Sequence, residues 1–304
     1  MTKSSFFAKA AHLRGCATIS LMALNTIFWT TLLFAVTACK AAAPVAGWRR
    51  FTGRLMVCLA NSWISCNNGI LRMVNKVEWR FNIPTGLDRW RNYLVIANHQ
   101  SWSDILALQR AFLRRIPFLR FFLKQNLIYV PLLGQAWWAL DFPFVKRGFK
   151  RPKAGGKQAG PAGPTSLDFV TKACAKYREI PVSIMNFVEG TRFTPHKHQR
   201  QSSQYANLLK PKAGGVTMVL AAMPDCLHSI LDVTIAYPGG AGSFWEFICS
   251  RGRQVVVHVE ERKLAGLITD ERLRDKGFRS YMEDYLNDLW NDKDRKLAQL
   301  TGGA

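Results

Sequence analysis

The stretch YLVIANHQSWSD, residues 93–104, is the part of the sequence that indicates the fold most directly. Its first five residues form an uninterrupted apolar run, which is typical of a short strand buried on both faces of a sheet. Ser101 or Ser103 then provides a hydroxyl that can cap a helix starting near Asp104. The stretch therefore predicts a strand, a turn and a helix, with His99 in the turn.

His99 and Asp104 become neighbours only in such an arrangement. On a regular helix, two side chains five residues apart would lie about 140° apart and would not touch. Across a strand–turn–helix junction, the Asp104 carboxylate can accept a hydrogen bond from one imidazole nitrogen and leave the other free as a base. The helix N-terminus favours the ionised carboxylate. The pair predicts general-base chemistry, although its spacing also fits a structural turn beside a helix cap.

A second motif, FVEGTR at residues 187–192, follows another apolar run. A glycine beside exposed backbone amides, with an arginine two residues further on, can hold a phosphate group. The motif therefore predicts an anion site. Its Glu189 and Arg192 also fit an ordinary surface ion pair.

Basic residues adjoin two other predicted elements. Lys146 and Arg147 end the apolar run 142–145, and Lys212 lies just before a predicted helix whose N-terminal amides favour an anion. Both positions predict further contacts to a negatively charged group. At 146–147, a solvated charge cluster is an equal interpretation.

From Glu78 onward, apolar runs alternate with amphipathic stretches, which predicts an α/β fold with a mixed sheet flanked by helices. The predicted strands are 77–81, 93–97, 142–145, 182–187, 231–236 and 254–259. The predicted helices are 104–113, 165–177, 214–223 and 272–299. Residues 150–164 are rich in Gly, Pro, Ala and Lys, and predict a flexible surface insertion. We predict one catalytic domain, 77–304, behind an N-terminal segment, 1–76.

The N-terminal segment has no charged residue from Cys16 to Cys39. A helix of that length would reach about 36 Å, enough to cross the apolar core of a bilayer. We interpret this run as a membrane anchor. A cleaved signal peptide before residues 41–43 and a lipoprotein signal at Cys39 are alternatives, but the apolar run is longer than their usual apolar region.

After a break at Pro44 and Gly47, residues 48–75 predict a second helix with apolar positions between basic ends. Such a helix suits the membrane interface, so we predict an N-terminal membrane-associated two-helix segment. A core helix packed on the domain is the alternative. Basic residues lie on both sides of the first helix, and their balance favours a cytoplasmic catalytic domain only slightly.

The chain of 304 residues is 48% hydrophobic and carries a formal net charge of +22. A balance this basic predicts an anionic partner, either nucleic acid or an acidic membrane surface. The basic residues before Glu78, the first acidic residue, are interleaved with apolar ones, which favours phospholipid. The seven scattered cysteines predict reduced thiols in a cytoplasmic domain, and their spacing fits no standard metal site.

Together, these motifs resemble those of the glycerolipid acyltransferases, which include the lysophosphatidic acid acyltransferases (PlsC-like). That family carries an Asn-His-x-x-x-x-Asp block, a hydrophobic strand ending in arginine, and a Glu-Gly-Thr-Arg block. This chain has the three blocks in that order, around His99, Arg147 and Glu189. The resemblance covers roughly residues 80–240. It is closest to a bacterial inner-membrane branch related to lysocardiolipin acyltransferases, which has similar segments at 122–125, 138–141, 186–190 and 211–213.

The resemblance implies transfer of a fatty acyl group from acyl-CoA or acyl carrier protein to the free hydroxyl of a lysophospholipid. The leading acceptor is 1-acylglycerol-3-phosphate, which would give phosphatidic acid. His99 and Asp104 would be catalytic. The implied substrate-binding residues are Glu189, Gly190, Thr191, Arg192, Arg147, Lys146 and Lys212. No cofactor or metal is implied, and the expected location is a bacterial inner membrane with the catalytic domain facing the cytoplasm.

Several alternatives stay open from the sequence. Val188 stands where many family members have proline, and residues 234–238 are an uncertain counterpart of the family's fourth block, so lysophosphatidylglycerol or lysocardiolipin are alternative acceptors. A dense apolar and aromatic set between 112 and 144 predicts an acyl tunnel, a membrane-facing lip or ordinary core. Rival functions are a membrane-tethered nucleic-acid-binding protein, a lipid-binding protein without catalysis and a hydrolase.

Overall fold

The computed structural model describes residues 3–43, 45–145, 180–264 and 277–302, together with Leu267 and Asp275. Its helices are α1 (Lys3–Ala42), α2 (Ala46–Ile70), α3 (Ser103–Phe112), α4 (Leu133–Ala139), α5 (Pro195–Gln201), α6 (Ala213–Ala222), α7 (Phe244–Cys249) and α8 (Phe278–Gly302). Its strands are β1 (Glu78–Asn82), β2 (Asn92–Ala97), β3 (Leu119–Phe121), β4 (Leu123–Lys124), β5 (Phe144–Val145), β6 (Ser183–Phe187), β7 (Leu227–Ala236) and β8 (Gln254–Lys263).

Six strands form the main sheet, in the order β1-β8-β7-β2-β6-β3, and β4 pairs with β5 separately. Strand β2 is parallel to both of its neighbours, β7 and β6, whereas β8 runs antiparallel to β7. The sheet is therefore mixed and flanked by helices, as predicted. Because β2, β6 and β7 are parallel, their carboxyl ends meet at one edge of the sheet.

Strand β2 lies at the centre of the core, and its residues from Leu94 to Ala97 are fully buried. Successive side chains of a strand point to opposite faces of its sheet. Leu94 and Ile96 therefore pack with α6 and α8, while Val95 and Ala97 pack with α3 and α7. This double burial explains why β2 is apolar at every position from 93 to 97.

The two N-terminal helices pack against each other along their length. Asn25 Nδ2 donates to Asn67 Oδ1 at 2.9 Å, and Trp63 Nε1 donates to Thr26 Oγ1 at 3.1 Å. A π-helical turn, Leu71–Asn75, then leads from α2 towards β1. The predicted helix over 48–75 is thus confirmed as α2 and this turn.

Helix α1 also contacts the domain near both ends of its apolar run. Arg14 Nη1 donates to the Cys249 carbonyl oxygen at 2.8 Å, at the end of α7. At the other end, Lys40 Nζ lies 3.9 Å from Asp141 Oδ2, just after α4. In the described part of the chain, one helix, Ala8–Ala42, is long and apolar enough to cross a membrane, judged by length and composition.

The six predicted strands correspond to β1, β2, β5, β6, β7 and β8. Strand β7 begins four residues earlier than predicted, β8 ends four residues later, and β5 has two residues where four were predicted. The short elements β3, β4, α4, α5 and α7 were not predicted, because two to seven residues are too few to establish a period. The described part of the predicted last helix is α8. The predicted insertion 150–164 and the predicted helix 165–177 lie outside the described residues.

Candidate active site

The turn between β2 and α3 brings His99 and Asp104 into contact. Asp104 Oδ2 lies 2.8 Å from His99 Nδ1, and it also accepts the backbone N–H groups of Gln100 at 2.7 Å and Ser101 at 2.9 Å. Asp104 is fully buried, so water does not compete for these bonds. The strand–turn–helix arrangement predicted for the pair is what the structure contains.

The start of α3 differs from the prediction. The helix begins at Ser103, and Trp102 occupies the N-cap position without a capping side chain. The prediction that Ser101 or Ser103 caps this helix is therefore wrong. The carboxylate of Asp104, in the first turn of the helix, instead binds the amides of the preceding turn, which places it beside His99.

Two aromatic residues complete the surroundings of the His–Asp pair. The Tyr237 hydroxyl donates to Asp104 Oδ1 at 2.6 Å, and the Phe187 ring stacks on the His99 imidazole with centroids 3.9 Å apart. Neither contact was predicted. Both residues lie at the carboxyl ends of strands adjacent to β2, β7 for Tyr237 and β6 for Phe187, and that placement was the only available signal.

The ring of His99 is thus oriented from two directions, through Nδ1 and through its face. No described residue forms a hydrogen bond with its Nε2. The side chain keeps 12% of its surface exposed. An imidazole with one nitrogen bound to a carboxylate and the other open to a ligand has the geometry of a general base.

Asn98 fixes this turn to the neighbouring strand. Its amide nitrogen donates to the Ile235 carbonyl oxygen at 2.9 Å, and its amide oxygen accepts the Ile235 N–H at 2.8 Å. Asn98 is fully buried. The two bonds continue the β2–β7 pairing beyond the end of β2, and they hold His99 at the edge of the sheet.

Glu189 lies behind the site and not in it. Its carboxylate is fully buried and accepts the backbone N–H groups of His99 at 3.1 Å and Leu209 at 3.2 Å. This differs from the expectation that Glu189 contacts the substrate, since both oxygens are occupied by backbone donors. Its carboxyl group connects the turn after β6 to the backbone of the turn after β2.

The surroundings of Glu189 oppose its ionisation. Burial raises the pKa of Glu189 to about 8, and nearby Asp104 acts in the same direction. The amides of His99 and Leu209 and the charge of Lys293 act in the opposite direction and lower the pKa. Protonation of this carboxyl places a hydroxyl on one of its oxygens, which weakens that oxygen as an acceptor for its backbone donor.

Gly190 begins an exposed loop that only glycine fits well. Its φ of +69° lies in the left-handed region, and a Cβ there would lie 3.4 Å from Lys212 Nζ. Lys212 itself occupies the N-cap position of α6, and its N–H donates to the Val188 carbonyl oxygen at 3.0 Å. The predicted neighbours Gly190 and Lys212 therefore do meet.

The next two residues are held by a lysine that was not predicted. Lys197 Nζ donates to Thr191 Oγ1 at 2.8 Å and to the Arg192 carbonyl oxygen at 2.9 Å. The Arg192 guanidinium lies over the Trp102 ring, 4.7 Å from its centroid. Lys197 was missed because it is five residues beyond the motif, and only the turn into α5 brings it back.

Arg192, Lys197 and Lys212 thus border the loop that begins at Gly190, beside the turn that carries His99. The backbone confirms that the two turns touch, since the Phe193 N–H donates to the His99 carbonyl oxygen at 2.7 Å. Lysine and arginine side chains of this kind suit a phosphate group. Lys146 and Arg147, which were predicted to add to this set, lie outside the described residues.

A small apolar cavity of about 50 Å³ lies between α1, α2 and α4. Stacked rings lead towards it from the site: Phe187 is 6.2 Å from Phe121, and Phe121 is 6.4 Å from Phe142. The residues lining the cavity are Trp29, Thr30, Leu33, Leu59, Ala60, Trp63, Gln109, Phe118, Leu133, Ala136, Trp137, Leu140 and Phe142. The aromatic set predicted between 112 and 144 therefore contributes in part to a cavity next to the N-terminal helices.

Comparison with known proteins gives the class of the molecule. The family model for acyltransferases matches residues 77–238, which is more than half of the chain. The chain therefore belongs to the acyltransferase family, and the expected family resemblance is confirmed.

The chain is similar to two curated relatives. It is 24% identical over 237 residues to the probable 1-acyl-sn-glycerol-3-phosphate acyltransferase 5 of Arabidopsis thaliana, covering 73% of this chain and 59% of the relative. It is 27% identical over 127 residues to the 1-acyl-sn-glycerol-3-phosphate acyltransferase gamma of Homo sapiens, covering 38% and 30%. The chain thus spans less than two thirds of the length of either relative.

A solved structure shares the fold over nearly the whole chain. The 1-acyl-sn-glycerophosphate (LPA) acyltransferase PlsC of Thermotoga maritima superposes with a TM-score of 0.52 at 18% identity, covering 94% of this chain and 97% of that one. The fold, a mixed α/β sheet flanked by helices, is therefore shared with that protein.

Proposed function

We propose that this acyltransferase moves a fatty acyl group from the thioester of acyl-CoA or acyl carrier protein to the free hydroxyl of a lysophospholipid. The leading acceptor is 1-acylglycerol-3-phosphate, with phosphatidic acid as the product. One observation carries the proposal: the His99–Asp104 pair lies beside a loop bordered by three cations. That arrangement suits a molecule with a hydroxyl near a phosphate. The names of the curated relatives support the choice of acceptor.

In the proposed reaction, His99 Nε2 removes the proton from the acceptor hydroxyl. The oxygen attacks the thioester carbonyl carbon, the new C–O ester bond forms and the C–S bond breaks. The departing thiolate takes the proton from the His99 imidazolium. Asp104 orients the ring and stabilises its positive charge during the transfer. No acyl-enzyme, metal or cofactor takes part in this scheme.

The acceptor phosphate is proposed to lie over Gly190, with Arg192, Lys197 and Lys212 around it. Phosphate oxygens accept charge-assisted hydrogen bonds from such side chains and from free backbone amides. Lys146 and Arg147 are proposed to add further positive charge, on the basis of the family resemblance.

The acyl chain of the donor is proposed to follow the stacked rings from Phe187 towards the cavity at Trp137. Apolar side chains line this path, so an acyl chain there would leave water at a gain of about 0.8 kcal/mol per buried CH₂. The cavity itself is smaller than an acyl chain, so the chain would have to displace lining side chains. The preferred length of the acyl chain would then depend on how far these lining side chains move.

Membrane attachment is proposed through the N-terminal segment, 1–76, with the domain of 77–304 on the cytoplasmic side of a bacterial inner membrane. Helix α1 contacts the domain near both ends of its apolar run, through Arg14 and Lys40. Those contacts favour insertion into one leaflet over a crossing. Exposed apolar side chains on the helix, such as Leu24 and Phe28, would meet the lipid.

The orientation can be tested with single cysteines in a cysteine-free background. Lys9→Cys and Ala41→Cys flank the apolar run of α1. A membrane-impermeant maleimide should label both from the cytoplasmic side of sealed vesicles. Labelling from opposite sides would show that the helix crosses the bilayer.

The function can be tested with purified protein in detergent, labelled acyl-CoA or acyl carrier protein, and separate acceptor lipids. We expect phosphatidic acid from 1-acylglycerol-3-phosphate, with His99→Ala inactive and the surface control His228→Ala unaffected. A preference for lysophosphatidylglycerol or lysocardiolipin would correct the acceptor. Release of free fatty acid without an ester product would identify a hydrolase, and an active His99→Ala variant would exclude the mechanism.

A further inference from the structure

Asp104 uses its two carboxylate oxygens differently. Oδ2 binds His99 Nδ1 and two backbone N–H groups, whereas Oδ1 accepts the Tyr237 hydroxyl at 2.6 Å and no other described donor. Asp104 is 0% exposed and Tyr237 is 2% exposed. A hydrogen bond between a hydroxyl and a carboxylate is short and strong in such a place, because water does not compete for it.

Tyr237 is held firmly in this position by its own backbone. It follows β7 directly, its carbonyl oxygen accepts the Gly240 N–H at 2.8 Å, and the Gly240 carbonyl oxygen accepts from Arg253 Nη2 at 2.6 Å. Two residues earlier, Ile235 is bonded to Asn98. Strand β7 therefore holds both the tyrosine and the turn that carries His99, so the distance between them is fixed.

The hydroxyl is a permanent donor. Burial raises the pKa of Tyr237 well above its usual value, and the neighbouring Asp104 carboxylate raises it further. A tyrosine in this state keeps its proton at physiological pH. It can thus donate to Asp104 throughout a reaction cycle without taking part in proton transfer itself.

We propose that Tyr237 is a positioning residue of the acyltransferase reaction, which holds Asp104 so that Oδ2 faces His99 and draws part of the carboxylate charge towards Oδ1. The hydrogen-bonded series runs from Tyr237 through Asp104 to His99. The inference rests on the proposed acyl transfer, and it adds a residue that touches no substrate. The tyrosine sets how strongly the carboxylate retains the imidazolium that must later protonate the leaving thiolate.

Removal of the hydroxyl has two consequences. Oδ1 loses its donor inside a buried site, and the charge of the carboxylate concentrates on the oxygen that binds His99. The imidazolium is then retained more strongly. The other titratable groups near the series include Glu189 after β6, Lys293 on α8 and Arg253 before β8, and the substitution alters none of them.

The test compares Tyr237→Phe with Tyr93→Phe. Tyr93 is equally buried, and its hydroxyl accepts the Asp88 N–H at 2.9 Å at the opposite end of β2. We expect Tyr237→Phe to lower kcat by about tenfold, with the acceptor KM within about twofold of the parent. The acid limb of its kcat/KM profile should move to higher pH. Tyr93→Phe should keep the parent's kinetics.

A second measurement does not depend on turnover. The proton between His99 Nδ1 and Asp104 Oδ2 should give a downfield NMR resonance, which Tyr237→Phe should shift and Tyr93→Phe should leave in place. Tyr237→3-fluorotyrosine preserves the packing and makes the hydroxyl a stronger donor. It should move both the resonance and the acid limb opposite to Tyr237→Phe, and it replaces that variant if Tyr237→Phe does not fold.

The outcomes separate this inference from the proposed function. If His99→Ala is inactive while Tyr237→Phe and Tyr237→3-fluorotyrosine match the parent in kcat, pH profile and resonance, the role of Tyr237 is wrong and the acyl transfer stands. If His99→Ala stays active, the proposed mechanism fails. An unchanged proton resonance in both Tyr237 variants would overturn the positioning role in that case too.

Discussion

The turns after β2 and β6 lie side by side at the edge of the sheet, where Ala97 pairs with Phe187, but they are held in different ways. The first turn is largely buried and hydrogen-bonded, with Asn98 and Asp104 fully enclosed. The second opens at Gly190, which is exposed and lies beside the Lys212 side chain at the start of α6. Under the proposed function, the first turn fixes the catalytic pair, while the second leaves space for the acceptor.

Glu189 connects these two regions. It belongs to the second turn, yet its carboxylate holds the backbone of His99 in the first. A buried residue therefore aligns the open turn, which follows β6, with the closed turn, which follows β2. Substitutions in the closed turn should affect the rate of the chemical step, those in the open turn should affect binding, and those at the connection should affect stability.

The largest effect is expected from Asp104→Asn. An amide in place of the carboxylate cannot stabilise the imidazolium, and its NH₂ group opposes the amides of Gln100 and Ser101. We expect kcat to fall by about 10³-fold with a smaller change in acceptor KM. Steady-state kinetics measure this, with Asp88→Asn at the opposite end of β2 as the control. An Asp104→Asn variant with the kcat of the parent would show that the turn after β2 does not control the rate of the chemical step.

Glu189→Gln tests the connection through the pH dependence of stability. The pKa of Glu189 is raised from 4.5 to about 8 in the folded chain, so its ionisation opposes folding. The stabilising contribution of the protonated form is complete below pH 4.5 and is lost as the pH rises through about 8. The parent should therefore lose unfolding free energy relative to Glu189→Gln, by up to about 1.4 kcal/mol per pH unit.

Unfolding measured between pH 5 and pH 9 would detect this trend, since thermal midpoints of the parent and Glu189→Gln should approach or cross as the pH rises. The exposed carboxylate variant Glu283→Gln should follow the parent throughout. Parallel curves for the parent and Glu189→Gln would show that the buried carboxyl is not destabilised by its site.

Arg192→Ala tests whether the turn after β6, which opens at Gly190, affects acceptor binding. Loss of a charge-assisted contact should raise the acceptor KM by about 10- to 100-fold and leave kcat nearly unchanged. Kinetics with 1-acylglycerol-3-phosphate measure KM and kcat separately. Arg200→Ala on α5 is the control, because it removes the same charge elsewhere. A fall in kcat at constant KM would assign Arg192 to the reacting group instead.

The smallest effect is expected from Gly190→Ala. A φ of +69° is unfavourable for alanine, so this variant should lose about 1 kcal/mol of stability. Gly214→Ala is a good control, because it lies in α6 with open space around the added Cβ and should be neutral or stabilising. Thermal unfolding compares the two, and equal midpoints would show that the loop relaxes.

The sequence predicted the long elements and the residues that belong to continuous motifs. Strand β2 and the His99–Asp104 contact both followed from local pattern, because a strand and the turn after it are encoded by neighbouring residues. The short elements α4, α5 and α7 were not predictable, since fewer than two helical turns are too short to establish a periodic signal.

The sequence by itself determined the fold class, the apolar N-terminal helix and the reacting pair. Only the tertiary structure decided that Tyr237 donates to Asp104, that Phe187 stacks on His99 and that Glu189 faces backbone amides. The physical reason is the parallel sheet. It brings together the ends of strands that are about 50 to 140 residues apart in the chain, and no local pattern records that proximity.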